Sequence, residues 1–178
     1  MTKRFRSEPY LHRADALVTS VEGSWITLDD PILFAFSGGQ QSDRGTVAGL
    51  DVLESEALDD GTIRYRLPDE HGLTGGQQVS QQVDGDLRLR VMRIHTATHM
   101  AFAAMSEQMG VAHHLIGSNV HASKGRIDWA LEIPVSPMVP AAKERIEHLV
   151  ALDLEIQRFA DPDQPDRWVW ALEGDGLD

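Results

Sequence analysis

Residues 92–109 read MRIHTATHMAFAAMSEQM, a stretch without Gly or Pro that is followed by Gly110. The lack of helix breakers and the glycine at the end predict an α-helix with Gly110 as its C-cap. The predicted buried side carries Ile94, Ala97, Ala101, Met105 and Gln108. Four methionines lie in this stretch. Because thioether side chains fill irregular gaps in protein cores, the methionine-rich face is predicted to pack in the interior.

Two histidines in this helix have a spacing that suits metal binding. His95 and His99 are four residues apart, so both side chains leave the same helical face and could hold one divalent ion. The intervening residues are Thr96, Ala97 and Thr98, so the helix lacks the glutamate general base of the His-Glu-x-x-His zinc proteases. A catalytic zinc takes three protein ligands, and this pair supplies two. The alternative is that both imidazoles serve packing or solvation.

The composition limits the classes of function. The 178 residues are 42% hydrophobic, contain no cysteine and carry a formal net charge of −12. Without cysteine there are no disulfides and no thiolate ligands, so a metal could bind only His, Asp, Glu or water. No long apolar run or signal peptide is present, so we expect a cytoplasmic protein without a membrane partner.

The acidic charge argues against a long surface that follows a phosphate backbone, and we expect no DNA partner. Binding of RNA would need a local basic patch. Each of the three candidate patches could equally be a solvated charge cluster. The candidates are Lys3, Arg4 and Arg6; Arg88, Arg90 and Arg93; and Lys124 with Arg126.

The first half of the chain has the pattern of β-strands. Residues 16–21 and 24–28 alternate polar and apolar side chains across Glu22-Gly23, which predicts a β-hairpin. Further strands are predicted at residues 31–36, 47–53, 62–67, 77–83 and 87–91. Such short spacing favours a small curved β-barrel or sandwich, which we assign to residues 1–86.

The second half, residues 87–178, has mixed α and β patterns. Strands are predicted at residues 112–118 and 127–133, and a final strand at 167–172 after the polar link 161–166. Ser136-Pro137 is predicted to open a helix, as N-cap and first-turn proline. Its apolar stripe is Ala142, Ile146, Leu149, Val150 and Leu154.

A polar loop lies between two predicted strands, with the sequence Ser37-Gly38-Gly39-Gln40-Gln41-Ser42-Asp43-Arg44-Gly45. Adjacent glycines allow a backbone to approach a ligand closely or to adopt positive φ, and the glutamines and Asp43 supply directional donors and acceptors. The simpler interpretation is a hairpin turn. The loop has no lysine, so it is not a nucleotide-triphosphate loop.

Two motifs follow each other in the chain. The first is Ser37-Gly38-Gly39-Gln40 with Asp43-x-Gly45, and the second, about fifty residues later, is Arg93-x-His95-Thr96-Ala97-Thr98-His99. This pair of motifs resembles the editing region of alanyl-tRNA synthetase. It also resembles the free-standing AlaX trans-editing proteins, within the superfamily named for the second additional domain of threonyl- and alanyl-tRNA synthetases. Residues 125–129 and Ile146-Glu147 extend the similarity, which covers about residues 17–170.

The resemblance implies an α+β fold in which a glycine-rich β-barrel precedes an α+β domain that holds zinc, in agreement with the change in pattern near Leu87. The implied reaction is zinc-dependent hydrolysis of tRNA(Ala) mischarged with serine or glycine. It also implies that zinc polarises the ester carbonyl or supplies a hydroxide. The implied site residues are His95 and His99 as zinc ligands; Gln40, Thr96 and Thr98 in catalysis; and Gly38, Gly39, Gln40 and Asp43 in substrate binding.

The chain departs from the family pattern at two places. Ser37 stands where the family usually has a third glycine, and no cysteine is present for the family's Cys-Gly-Gly-Thr-His zinc segment, which we would expect just beyond the final strand. We expect that the chain is cut short of that segment; loss of the ligands is the alternative. His113, His114 or His121 could supply a third ligand.

With two ligands we expect weak zinc binding and little activity of this form. Because the strands begin near Met1, a free-standing editing protein is expected rather than part of a synthetase. A metal-free accessory or binding protein of the same fold and a zinc hydrolase of small esters are the alternatives.

Overall fold

The computed structural model describes residues 3–110, 115–160 and 168–172. The chain is an α+β protein, as predicted. Its helices are α1 (Arg4–Ser7), α2 (Gly85–Met109) and α3 (Val139–Ala151). Its strands are β1 (Arg13–Glu22), β2 (Trp25–Leu28), β3 (Gly45–Val47), β4 (Leu50–Asp51), β5 (Glu54–Ala57), β6 (Ile63–Arg66), β7 (Gln78–Val83), β8 (Leu115–His121), β9 (Lys124–Trp129), β10 (Ile156–Ala160) and β11 (Trp168–Leu172).

The first seven strands form one curled antiparallel sheet in the order β4-β3-β7-β1-β2-β6-β5. Strand β1 belongs to both halves of this sheet. Its first half pairs with β7, its second half pairs with β2, and the register shifts between Val18 and Ser20. A β-bulge of this kind bends a strand and increases its twist, which accounts for the curl. Within the described residues β4 and β5 are the two edges, so closure into the predicted glycine-rich barrel stays a prediction.

The concave side of the sheet encloses the main hydrophobic core. The largest side chains with almost no exposure are Tyr65, Ile26, Ile32, Leu33, Leu67, Gln81, Val18 and Val47. Burial raises the pKa of Tyr65, so its hydroxyl stays protonated and donates a hydrogen bond of 2.7 Å to Leu33 O. Buried polar groups are paired in this way throughout native proteins.

Residues 31–36 do not form the predicted strand. They follow an irregular path, although Ile32, Leu33 and Ala35 are buried. Side chains replace the missing strand partners, since Ile32 N donates to Gln81 Oε1 (3.0 Å) and Phe34 N donates to Asp43 Oδ2 (2.6 Å). An apolar run therefore indicated burial correctly and strand structure wrongly.

Helix α2 is longer than predicted and includes the residues expected to form a strand at 87–91. It begins after Asp84, whose carboxylate accepts from Leu87 N (2.9 Å), and it ends at Gly110 in the left-handed conformation. Both are ordinary helix caps. The C-cap is confirmed, but the predicted buried side is only partly correct, because Ala97 and Gln108 are exposed.

The last turns of α2 pack in a second cluster. Ala104 and Met105 meet Ala142 of α3, with Trp129 of β9 packed against them. Helix α3 begins at Val139 with a proline in its first turn, so the predicted start at Ser136-Pro137 is wrong. Within its predicted apolar stripe Ala142 and Leu149 are buried, whereas Val150 is exposed and Leu154 lies beyond the helix.

Strands β8 and β9 form an antiparallel hairpin, and β10 pairs with β11. Of the predicted segments, residues 111–114 and 161–167 lie outside the described part of the chain. The sheet's last strand ends at Val83 and α2 begins at Gly85, although the division into domains at residues 86 and 87 stays a prediction. Among the described helices, none has the length and apolar character needed to cross a membrane.

Candidate functional site

The polar loop predicted between two strands is folded as a tight turn. Gln40 N donates to Ser37 O (3.0 Å), and the central residues Gly38 and Gly39 have φ of 57° and 80°. Two consecutive positive φ values are typical of a type I′ turn, which glycine adopts readily. Ser37 does not have a positive φ within the described backbone, so the serine meets no steric requirement for glycine there.

The tip of the loop docks on strand β8. Val120 N donates to Gly39 O (2.9 Å), Gln41 N donates to Val120 O (3.0 Å), and Ala122 N donates to Gln41 Oε1 (2.9 Å). A Cβ on Gly39 would fall far inside 3.0 Å of Ser118 O. The missing side chain is therefore what allows the two backbones to approach each other.

The β8–β9 hairpin in turn packs on helix α2. A Cβ on Gly125 would collide with Thr98 Oγ1, which donates to Ile94 O (2.7 Å) one turn earlier in the helix. Thr98 therefore faces the hairpin and its hydroxyl is engaged by its own helix. The predicted part of Thr98 in catalysis stays a prediction. Thr96 is half-buried, and its role stays a prediction.

The loop and the helix meet at the histidine pair. His95 Nδ1 lies 2.7 Å from Gln40 Oε1, and His95 Nε2 lies 3.1 Å from His99 Nε2. The two rings are stacked, with centroids 4.9 Å apart and planes 16° apart. The structure thus brings together Gln40, His95 and His99, of which Gln40 is 55 residues away from His95 in the chain.

The hydrogen bond that Gln40 Oε1 accepts determines which nitrogen of His95 carries a proton. An amide oxygen can only accept, so Nδ1 donates and Nε2 keeps a lone pair directed at His99. In the absence of a metal, His99 Nε2–H can donate to that lone pair. When both Nε2 atoms are unprotonated, the pair presents two lone-pair donors 3.1 Å apart, and neutral imidazole nitrogen is a common metal ligand.

Burial lowers the pKa of both imidazoles below the ordinary 6.5, and for His95 the neighbouring His99 lowers it further. A charged ring is disfavoured where water is partly excluded. Both rings are therefore neutral near pH 7, and neutral imidazole is the form that binds metals.

Comparison with known proteins gives relatives of two descriptions, an alanyl-tRNA editing protein and alanine–tRNA ligases. The alanyl-tRNA editing protein AlaX-M of Pyrococcus horikoshii is 32% identical over 129 residues, which are 72% of this chain and 60% of the relative. The alanine–tRNA ligase of Methanococcus vannielii is 33% identical over 114 residues, which are 64% of this chain and 13% of the ligase. The alanine–tRNA ligase of Aromatoleum aromaticum is 35% identical over 119 residues, or 63% of this chain and 13% of the ligase. No protein-family model matches the chain.

The similarity to these relatives supports an AlaX-like editing domain in this chain. It spans 60% of the length of the AlaX-M relative and a much smaller share of the ligases. The resemblance recognised from the two motifs is thereby confirmed.

In this AlaX-like domain the histidine pair fits a metal as a half-site. Two nitrogen ligands that each lie about 2.0–2.1 Å from a tetrahedral zinc are roughly 3.3–3.4 Å from each other. The 3.1 Å between the two Nε2 atoms is close to that value. No group of three His, Cys, Asp or Glu able to hold a metal occurs in residues 3–110, 115–160 and 168–172. His121 is exposed and joins no such group, and His113 and His114 lie outside the described residues.

Asp43 of the loop and Arg88 of α2 form a buried ion pair that the sequence did not predict. The side chain of Asp43, expected to bind substrate, is only 7% exposed and is paired with the equally buried Arg88. Both of its oxygens are engaged, by Arg88 and by Phe34 N. Asp43 therefore holds the base of the loop, and its expected part in substrate binding stays a prediction.

Arg88 was predicted with Arg90 and Arg93 as part of a possible basic patch, but its side chain is paired with Asp43 in the interior. Its burial removes it from any RNA-binding surface. The available signal was its spacing, since Arg88 precedes His95 by seven residues and two helical turns bring both to one face.

Proposed function

We propose that this AlaX-like domain hydrolyses the ester bond between a wrongly attached amino acid, serine or glycine, and tRNA(Ala). The observation that carries the proposal is the 2.7 Å contact between Gln40 of the glycine loop and His95 of the helix. It joins the two motifs that the family shares into one site. The names of the relatives, an alanyl-tRNA editing protein and alanine–tRNA ligases, support tRNA(Ala) as the partner.

In the proposed mechanism His95 and His99 would hold zinc through their Nε2 atoms. When bound, zinc would polarise the ester carbonyl or lower the pKa of a bound water. Gln40 keeps the proton of His95 on Nδ1 and so leaves Nε2 available. The NH₂ group of the same amide carries two donors, which we assign to an oxygen of the substrate, as Gln40 is the polar side chain that the loop tip brings to the pair.

The surroundings of the pair favour chemistry on a small group at the end of a flexible chain. The site is formed where the loop, the β8–β9 hairpin and α2 converge, and His95 is half-buried while His99 reaches solvent. An ester at the 3′ end of a tRNA could enter from the His99 side without unfolding of the acceptor stem. The exposed cations Lys124 and Arg126 lie on the hairpin that contributes Gly125 to this junction.

The test is deacylation of seryl-tRNA(Ala) and glycyl-tRNA(Ala) by the 178-residue protein with added zinc. We expect hydrolysis above the spontaneous rate, reduced at least tenfold in His95→Ala. His148→Ala is the matched control, because His148 is an exposed helical histidine in α3, and it should hydrolyse at the wild-type rate. Equal rates for wild type and His95→Ala would refute the assigned site.

A second function, a metal-free binding protein for tRNA, is favoured by one observation. The described residues give the pair no third ligand, and the sequence has no cysteine. Saturable binding of tRNA(Ala) without hydrolysis, unaffected by zinc or by His95→Ala, would support it. Zinc-dependent cleavage of serine methyl ester without tRNA would instead support a hydrolase of small esters.

A further inference from the structure

The loop of residues 34–43 is a closed unit with a base and a tip. At the base, Asp43 N donates to Phe34 O (2.9 Å) and Phe34 N donates to Asp43 Oδ2 (2.6 Å). One step further, Phe36 N donates to Ser42 Oγ (2.9 Å). These bonds join the two sides of the loop, so a displacement of its base also displaces its tip.

Arg88 fixes the base of this loop to helix α2. Its Nε donates to Asp43 Oδ1 (3.2 Å), and its Nη2 donates to Asp43 Oδ2 and to Ile32 O (2.6 Å). Its Nη1 donates to Leu11 O (3.2 Å). The guanidinium is planar and presents its donors in fixed directions, so this set of acceptors determines both the distance and the orientation of Asp43.

The ion pair needs an explanation beyond stability. Both side chains are 7% exposed, and a buried ion pair often contributes no more stability than two apolar side chains of similar volume. What a two-pronged Arg–carboxylate pair does provide is a defined geometry. That geometry is transmitted along the loop from Asp43 to Gln40.

The helix contacts the loop a second time, two turns later. Seven residues separate Arg88 from His95, which corresponds to about 10.5 Å along the axis and to within roughly 20° of two full turns. Three residues separate Gln40 from Asp43, and three extended residues reach at most about 10–11 Å. The maximum reach of these loop residues is therefore close to the separation along the helix, and a loop held at its base has little freedom at its tip.

We propose that Arg88, acting through Asp43, is a positioning residue that holds Gln40 against His95 and thereby sets the tautomer of that histidine. Its effect on hydrolysis rests on the proposed function, but its effect on the histidine does not. Arg88 and Asp43 themselves touch neither the substrate nor the reacting atoms.

The experiment compares Asp43→Asn and Arg88→Lys with Tyr65→Phe. Tyr65→Phe is the matched control because it removes another buried hydrogen bond to the same irregular segment, at Leu33 O, without altering the loop. The first readout is the nitrogen NMR signature of the His95 ring in the metal-free protein, which distinguishes protonation on Nδ1 from protonation on Nε2. The second is kcat and KM for deacylation of seryl-tRNA(Ala).

We expect the Nδ1–H form of His95 to dominate in the wild type and in Tyr65→Phe, and to give way to a mixture in Asp43→Asn and Arg88→Lys. The value of kcat should fall about tenfold or more in these two variants, as for other residues that orient a metal-binding histidine, with KM little changed. An unchanged His95 signature in folded Asp43→Asn and Arg88→Lys would overturn the proposal.

The double variant Arg88→Met with Asp43→Leu covers the case in which the single variants do not fold. Apolar replacement of both partners leaves no buried charge, so this protein should fold and should show the mixed tautomer. If it folds with the wild-type signature, or if it also fails to fold, the pair serves stability alone and the proposal is wrong. A wild type that does not deacylate, combined with the expected change in tautomer, would refute the function and support the positioning role.

Discussion

Replacing Gly39 by alanine tests whether the close approach between the loop and β8 builds the site. The new Cβ would lie far inside 3.0 Å of Ser118 O and at 3.0 Å from Ser118 C. Both are backbone atoms of a paired strand and cannot rotate away, so the loop must retreat by on the order of 1 Å to restore ordinary contact distances. Gly39→Ala should therefore separate Gln40 from His95.

The cost of this change can be worked out from its parts. An L-residue at φ of 80° costs about 1 kcal/mol. Two hydrogen bonds between the loop and Val120 would be weakened or lost, at about 1 kcal/mol each. The free energy of unfolding should therefore fall by about 3 kcal/mol in Gly39→Ala.

Gly38 provides the matched control. Its φ is 57°, but no atom lies within 4 Å of the position of its Cβ, so Gly38→Ala should lose only the backbone term of about 1 kcal/mol. Urea denaturation of both variants measures the difference, which we expect to be about 2 kcal/mol. Hydrolysis of seryl-tRNA(Ala) should be lost in Gly39→Ala. Equal destabilisation by the two substitutions would refute the reasoning.

Two further predictions concern the helix. Gly125→Ala should destabilise the protein by about 2 kcal/mol through collision with Thr98 Oγ1. Thr98→Ala in the same chain should restore most of this loss, since the remaining contacts lie at 3.4 Å. Additive effects in a double-mutant cycle would contradict the contact. Because burial lowers the pKa of His95 and His99 below 6.5 in the folded chain, the unfolded chain binds more protons in mild acid. The free energy of unfolding should thus decrease as the pH falls below about 6.5, and it should decrease less steeply in His99→Ala. Urea denaturation between about pH 7 and 5 measures both curves. Parallel curves for wild type and variant would show that the histidine pair is not responsible.

The strands that alternate polar and apolar side chains could be predicted from the sequence. In β2, Ile26 and Leu28 are buried while Trp25 and Thr27 are half-buried, which is the period-two pattern of a sheet with one covered face. The β1–β2 hairpin follows from this pattern and from the turn at Glu22-Gly23, and it is confirmed. Local pattern suffices where the environment of a residue repeats along the strand.

Local pattern failed where a polar side chain is buried. In residues 87–91 polar and apolar side chains alternate, as in a strand. The buried side chains are Leu87, Arg88 and Val91, and this helical spacing is recognised only if the arginine is counted as buried. Residues 31–36 look like a strand because the segment is apolar. Its backbone partners, however, include the side chains of Gln81, which is 49 residues from Ile32, and of Asp43, which is nine residues from Phe34. Such pairing depends on tertiary structure and has no local signature.

Only part of the candidate site could be predicted from the sequence. The spacing of His95 and His99 predicts a shared face from helix geometry alone, and the structure places the two rings together. The contact with Gln40 was expected only through the family resemblance, since no physical pattern links residues 55 positions apart. The hydrogen bonds that engage Asp43 and Thr98 could not be predicted before their partners were known, and the expected roles of both residues stay predictions.

Helix α2 carries both attachments of the loop, and this limits how the sequence can change in length. One residue inserted between Arg88 and His95 would rotate everything beyond it by about 100° relative to the loop. Both ends of the helix could still pack against apolar residues, but the imidazoles of His95 and His99 would no longer lie beside Gln40. Insertions and deletions could be tolerated in α3 and in the surface turns. Between Arg88 and His95 they are excluded, because they would rotate the histidines away from the loop even if every named side chain were present.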